Sequence, residues 1–139
     1  MAISYQTDDV KMPAIAKRDV TTWIKAIAGT YGKKAGEITC IFCSDEKILE
    51  INRTYLQHNY YTDIITFDYT KGNKISGDLF ISVDTVATNA ERFKSTYDEE
   101  LHRVIIHGIL HLCGMKDKEP GEREKMEEAE NKALSLRKQ

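Results

Sequence analysis

A chain of 139 residues suits one domain built around one core. With 41% hydrophobic and 30% charged residues it reads as globular rather than disordered, and no apolar run nears the ~20 residues that span a bilayer. A formal net charge of −2 and a pI near 6.1 do not nominate a nucleic acid as partner through bulk attraction, so any such role needs a local basic patch.

The N-terminal Met-Ala-Ile-Ser-Tyr has neither a basic n-region nor an apolar h-region, so it is not a secretory signal. Three cysteines do not make a disulfide framework. Both features suit a cytoplasmic protein.

Residues 3–7 alternate apolar and polar and predict a first strand. Asp19 or Thr21 can cap a helix running through Trp23, Ile24, Ile27 and Ala28, with Gly32 and Gly36 marking its end. Residues 37–43 are β-branched and apolar, a second strand. Ser44 caps the next helix, whose stripe is Ile48, Ile51, Tyr55 and Leu56. Residues 63–69 and 77–83 read as strands around a turn at 71–74, hence a hairpin. Asp84 caps a helix through Val86, Ala90 and Phe93.

From Val104 to Cys113 only the histidines are polar, which predicts a central buried helix with Gly114 as a left-handed terminator. Pro120 opens a last, mostly charged helix with a thin stripe of Met126, Ala129, Ala133 and Leu136. The order β-α-β-α-β-β-α-α-α implies a single α+β domain over residues 1–139. It should have a mixed sheet of about four strands, about five helices, and a metal site on the buried central helix.

His107 and His111, spaced i and i+4, share one helix face about a turn apart, the spacing with which two imidazoles bind one zinc. Beyond the turn at Gly114, Asp117 can swing back as a third ligand. Three protein ligands leave a position for water, the catalytic arrangement. Zinc suits the set first, while two imidazoles and a carboxylate also suit Fe(II), Mn(II) or Ni(II). The whole pattern, His-x3-His-x2-Gly-x2-Asp, has the metzincin protease spacing, but Gly108 stands where the protease carries its Glu base. Cys40 and Cys43 are not a ligand pair, because residues three apart on a strand point to opposite faces. Cys113 is expected to pack in the core.

The stretch His-Gly-Ile-Leu-His-Leu-Cys-Gly at 107–114 resembles the signature of the YbeY family of metal-dependent endoribonucleases. Further similar stretches are Cys43-Ser44-Asp45-Glu46 leading to Ile51-Asn52, Tyr55 with 62–67, and Gly77-Asp78-Leu79-Phe80-Ile81. The resemblance implies processing of ribosomal RNA, especially the 3′ end of the small-subunit RNA, and ribosome quality control. It makes ribosomal RNA and the small subunit the partners, with no DNA expected. Three positions depart from the family pattern. Asp117 replaces a third His, Leu56 replaces an Arg after the Tyr, and Tyr61 replaces a Pro. Arg53, one helical turn before Leu56, is in reach of replacing the missing Arg.

On this reading the metal activates water or polarises a phosphoryl oxygen, and a nearby cation stabilises the developing charge. Arg53 and Arg103 are the expected catalytic cations, with His58 and His102 as weaker candidates. His102, five residues before His107, points away from the ligand face and reads as a partly exposed surface His. Thr62, Asp63 and Thr66 can line the cleft. Tyr55, Tyr60 and Tyr61 can stack on bases, and Lys71, Lys74, Arg92 and Lys94 can meet phosphates. Two alternatives compete: a metallopeptidase or other metallohydrolase, and a ribosome-associated factor that keeps a structural metal.

Overall fold

The computed structural model describes residues 2–56 and 62–137. Its elements in chain order are β1 (Ile3–Thr7), α1 (Lys17–Thr30), β2 (Lys34–Cys43), α2 (Asp45–Ile51), a π-helical turn (Asn52–Leu56), β3 (Ile64–Asp68), β4 (Lys74–Ser82), α3 (Val83–Arg92), α4 (Tyr97–Leu112) and α5 (Glu122–Ser135). The four strands form one mixed sheet in the order β1-β2-β4-β3. β1 and β4 flank β2 in parallel, and β3 returns antiparallel to β4 as the expected hairpin. The α+β class, the strand number and the five α-helices all follow the sequence reading.

Alternation along β2 and β4 sends Ile38, Cys40 and Phe42 with Ile75, Leu79 and Ile81 toward the helices. There they meet Trp23, Ile24 and Ile27 of α1 and Leu101, Ile105 and Ile109 of α4 in the main core. A second, smaller cluster of Cys43, Ile48, Ile51 and Ile65 lies under α2 on the other side. Cys40 and Cys43 thus fall in separate clusters, as opposite strand faces require. Cys113 packs against the main core only partly buried.

Several local expectations are corrected. α1 starts at Lys17, after Ala16, with no side-chain cap. Asp19 lies in its first turn, where a negative charge favours the helix dipole, and Thr21 instead hydrogen-bonds the Tyr5 hydroxyl at 2.9 Å. Gly36 does not end that helix but sits within β2, beside the register irregularity between Ala35 and Ile38. Ser82 rather than Asp84 caps α3, accepting from Thr85 N at 3.2 Å. Asp84 serves α2 instead, accepting from Asp45 N at 3.0 Å. Ser44 caps α2 as expected, accepting from Lys47 N at 3.2 Å. The last helix starts at Glu122 behind a left-handed Gly121, after Pro120 rather than on it. Tyr55 leaves the predicted apolar stripe and stands exposed, edge-on to Phe67 at 5.9 Å. The expectations for His58, Tyr60, Tyr61 and the Leu56 side chain lie outside the described residues.

Candidate metal centre in a cleft between two helices and the hairpin

α4 is the element that builds the site. Thr96 caps it by accepting from Glu99 N at 3.0 Å, and three acidic residues fill its first turn. Ten of its residues are buried, seven of them in the apolar stretch from Val104 onward. It lies close on the sheet because Gly108 carries no side chain. A Cβ there would come within 2.8 Å of Ile64 Cδ1 and 3.0 Å of both Leu79 methyls. The Gly that stands in place of a protease Glu therefore has a packing reason, and the metallopeptidase alternative has no room for its base.

The end of α4 is equally specific. Gly114 adopts φ 101°, Gly114 N–H donates to His111 O, and Met115 N–H donates to Leu110 O, both at 3.0 Å. This Schellman turn reverses the chain toward Asp117. It also aims the Met115 carbonyl at His111 Nδ1, 3.0 Å away.

His107 and His111 face a cleft of about 640 Å³ between α4, β3 and α5. Their Nε2 atoms are 3.0 Å apart, and Asp117 Oδ2 lies 3.3 Å and 3.5 Å from them. Both Nδ1 atoms are already engaged. His107 Nδ1 lies 2.6 Å from Glu130 Oε2, and His111 Nδ1 faces the Met115 carbonyl. A carboxylate and a carbonyl only accept, so in the neutral rings each Nδ1 carries the hydrogen and each Nε2 a lone pair. With both rings neutral, two lone pairs and a carboxylate oxygen thus converge on one point. Zn–N and Zn–O bonds of about 2.0–2.2 Å in tetrahedral geometry separate ligand atoms by roughly 3.3 Å, which the three measured edges bracket. The donor set therefore fits a divalent cation, and His107, His111 and Asp117 form a possible metal-binding group.

Acidic residues surround this point. Burial raises the Asp63 carboxyl above its ordinary range, with the charge of His107 opposing. Burial pushes His107 down, but its hydrogen bond to Glu130 and the charges of Glu130, Asp63 and Asp117 outweigh that and hold it above its usual value. The hydrogen bond and the neighbouring carboxylates thus favour positive charge on His107, and burial opposes it.

Thr62, Asp63 and Thr66 line the cleft, as expected. Arg103 lines it too, but its guanidinium is turned onto α5, donating to Glu130 Oε1 at 3.0 Å and Asn131 Oδ1 at 2.7 Å. Arg53 is exposed, and the same turn sends the buried Asn52 into the cleft lining. His102 is corrected: it is 3% exposed, its Nδ1–H donates to the Asp98 carbonyl at 2.6 Å, and burial lowers its pKa. It does point away from the ligands, but it points into the core beside Trp23 rather than into water.

Sequence reasoning missed Glu130, Asn52, Lys118 and Arg123, all of which line the cleft. A signal for Glu130 existed. It is four residues after Met126 and three before Ala133, on the buried stripe of an otherwise charged helix. Lys118 and Arg123 were hidden among the many charges of 116–125.

The chain is a small α+β domain whose open cleft gathers two histidines and a carboxylate that could hold a metal ion. The family model described as Endoribonuclease YbeY matches residues 2–137. The chain is 72% identical over 137 residues to the Endoribonuclease YbeY of Bacteroides thetaiotaomicron, covering 99% of this chain and all of that one. It is 72% identical over 136 residues to the protein of the same name from Parabacteroides distasonis, covering 98% and 96%. At 50% identity over 134 residues, that of Porphyromonas gingivalis is matched over 96% of this chain and 89% of its own. The solution structure of TM1509 from Thermotoga maritima shares the fold, with TM-score 0.67 and 24% identity over 96% of this chain and 87% of that one. This chain belongs to the YbeY family of endoribonucleases, hydrolytic nucleases acting on RNA.

Proposed function

We propose that this protein is a metal-dependent endoribonuclease cleaving single-stranded RNA, with His107, His111 and Asp117 holding one divalent ion. Zinc is the first choice for that ion, and Fe(II), Mn(II) and Ni(II) suit the same donors. The substrate is ribosomal RNA, at the 3′ end of the small-subunit RNA, and the enzyme works in the cytoplasm beside the small ribosomal subunit. No helix among the described residues is long and apolar enough to cross a membrane. The observation that carries the reading is the pair of Nε2 lone pairs facing each other at 3.0 Å with the Asp117 carboxylate beside them. With both rings neutral, such an arrangement is repulsive until a proton or a metal cation occupies it.

When bound there, a divalent ion supplies Lewis acidity and lowers the pKa of its water toward ~7. The chain's own residues do the rest. Lys118 and Arg123, exposed at the cleft edge and without an ion pair among the described residues, bind the flanking phosphates. Arg53, exposed next to the cleft-lining Asn52, meets the RNA chain outside the cleft. The half-buried Thr66 and Asp63 orient the scissile region against α4. The family relationship favours this reading over a ribosome-associated factor with only a structural metal.

Metal analysis of the purified protein tests the centre. Wild type should carry one equivalent of divalent metal, and His111→Ala and Asp117→Ala should lose most of it. Cleavage of single-stranded RNA should be abolished by a chelator and by His111→Ala. Activity that survives both would defeat the nuclease mechanism.

A further inference from the structure

Glu130 is 8% exposed on a helix whose other glutamates largely face solvent. A buried carboxylate is costly unless each oxygen is satisfied. Here Oε2 accepts from His107 Nδ1 at 2.6 Å, and Oε1 accepts from Arg103 Nη1 at 3.0 Å. Arg103 is held in turn by Asn131 Oδ1 at 2.7 Å, one residue further along α5. The two imidazoles are therefore fixed by different means. His111 leans on a carbonyl of its own helix-ending turn, whereas His107 leans on a side chain 23 residues away on another helix.

We propose that Glu130 is the positioning residue that sets the tautomer and ring plane of His107, and that Arg103 acts through Glu130 rather than on the RNA. The proposal rests on His107 being a metal ligand. Donation from Nδ1–H to Glu130 is what keeps the Nε2 lone pair directed at Asp117 and His111, and Arg103 prevents the carboxylate from rotating away. The chain Asn131–Arg103–Glu130–His107 also explains how α5, whose buried apolar residues are Met126, Ala129 and Ala133 with Leu134 partly buried beside them, is tied in register to α4.

Glu130→Gln tests this with almost no change of shape. Gln has one acceptor oxygen where two donors now converge, so its NH2 must face either Arg103 or His107 Nδ1. In the metal-free variant, long-range 1H–15N spectra should show His107 moving from the Nδ1–H toward the Nε2–H tautomer, while wild type stays Nδ1–H. Zinc affinity, measured by competition with a chromogenic chelator, should fall about 10–100-fold, the usual effect of losing a ligand's outer partner. The far-UV spectrum should stay as in wild type. Arg103→Met should also weaken zinc binding while leaving the KM for RNA of the zinc-saturated enzyme unchanged.

A wild-type tautomer and wild-type zinc affinity in Glu130→Gln would overturn the role of Glu130. Full zinc affinity with a raised KM in Arg103→Met would move Arg103 onto the substrate and overturn its part. Should Glu130→Gln fail to fold, the zinc affinity of Arg103→Met decides. Failure of wild type to bind zinc, Fe(II), Mn(II) or Ni(II) defeats the function proposed above, yet the metal-free tautomer still judges the positioning role separately.

Discussion

Replacing Gly108 by Ala tests how α4 is seated. In an isolated helix this change should stabilise by about 1 kcal/mol, because Ala is the better helix former. Here the new methyl would lie 2.8 Å from Ile64 Cδ1 and 3.0 Å from both Leu79 methyls, against an ordinary carbon–carbon contact of about 3.5–4.0 Å. Overpacking of this kind costs about 1–3 kcal/mol. The two effects sum to a net loss of roughly 0–2 kcal/mol, and the methyl ends of Ile64 and Leu79 can yield somewhat. Urea unfolding of metal-free protein measures it directly.

A partner variant isolates the contact. Ile64→Val removes the methyl nearest the new Cβ and alone should cost about 0.5–1.5 kcal/mol. Combined with Gly108→Ala it should cost less than the sum of the two, with a coupling of about 1 kcal/mol. Gly108→Glu should be far worse, since it would thrust a carboxylate against Ile64 and Leu79, and no peptidase activity should appear. If Gly108→Ala gained the full helix-propensity increment with no coupling to Ile64→Val, the close approach of α4 to the hairpin would be refuted.

Two other outcomes follow from the cleft and the core. Lys118→Gln and Arg123→Gln should each weaken binding of a single-stranded oligoribonucleotide, measured by fluorescence anisotropy in EDTA. Each should also lower the slope of log K against log salt by about 0.7; an unchanged slope would remove that residue from the RNA path. His102 bears on pH. Its folded-state pKa is depressed by burial below the ordinary 6.5, so the unfolded chain binds the proton first. Its contribution is fully present above 6.5 and is lost as pH falls below that value. Glu100, raised by burial, works in the opposite sense. The thermal midpoint of His102→Gln should therefore fall less between neutral and mildly acidic pH than that of wild type. Parallel pH curves for the two would refute a buried, neutral His102.

Much of this protein is legible in its sequence because the relevant information is local. Period-two and period-3.6 patterning marks the four strands and five helices. The i, i+4 histidines and the Gly114 turn place three donors within one short stretch, so contacts four to ten residues apart suffice to foresee the centre. Leu110, His111, Gly114 and Met115 carry their geometry in backbone hydrogen bonds that any homologous turn would make. Ser44 and its cap belong to the same local class.

What only the tertiary structure decided depends on residues distant in the chain. Glu130 is one of many glutamates until α5 docks and buries it against His107, and Arg103 is a generic surface Arg until Glu130 arrives. His102 reads as partly exposed because it points away from the ligand face, but Trp23, 79 positions earlier, closes over it. Asp84 and Ser82 compete for the same cap within two residues, and the demand of Asp45 N on a different helix settles the choice. The metal centre opened as a spacing on one helix. Its tautomers, its charge and its cleft are set by α5 and the β3–β4 hairpin, because burial and partner choice are properties of packing, not of local sequence.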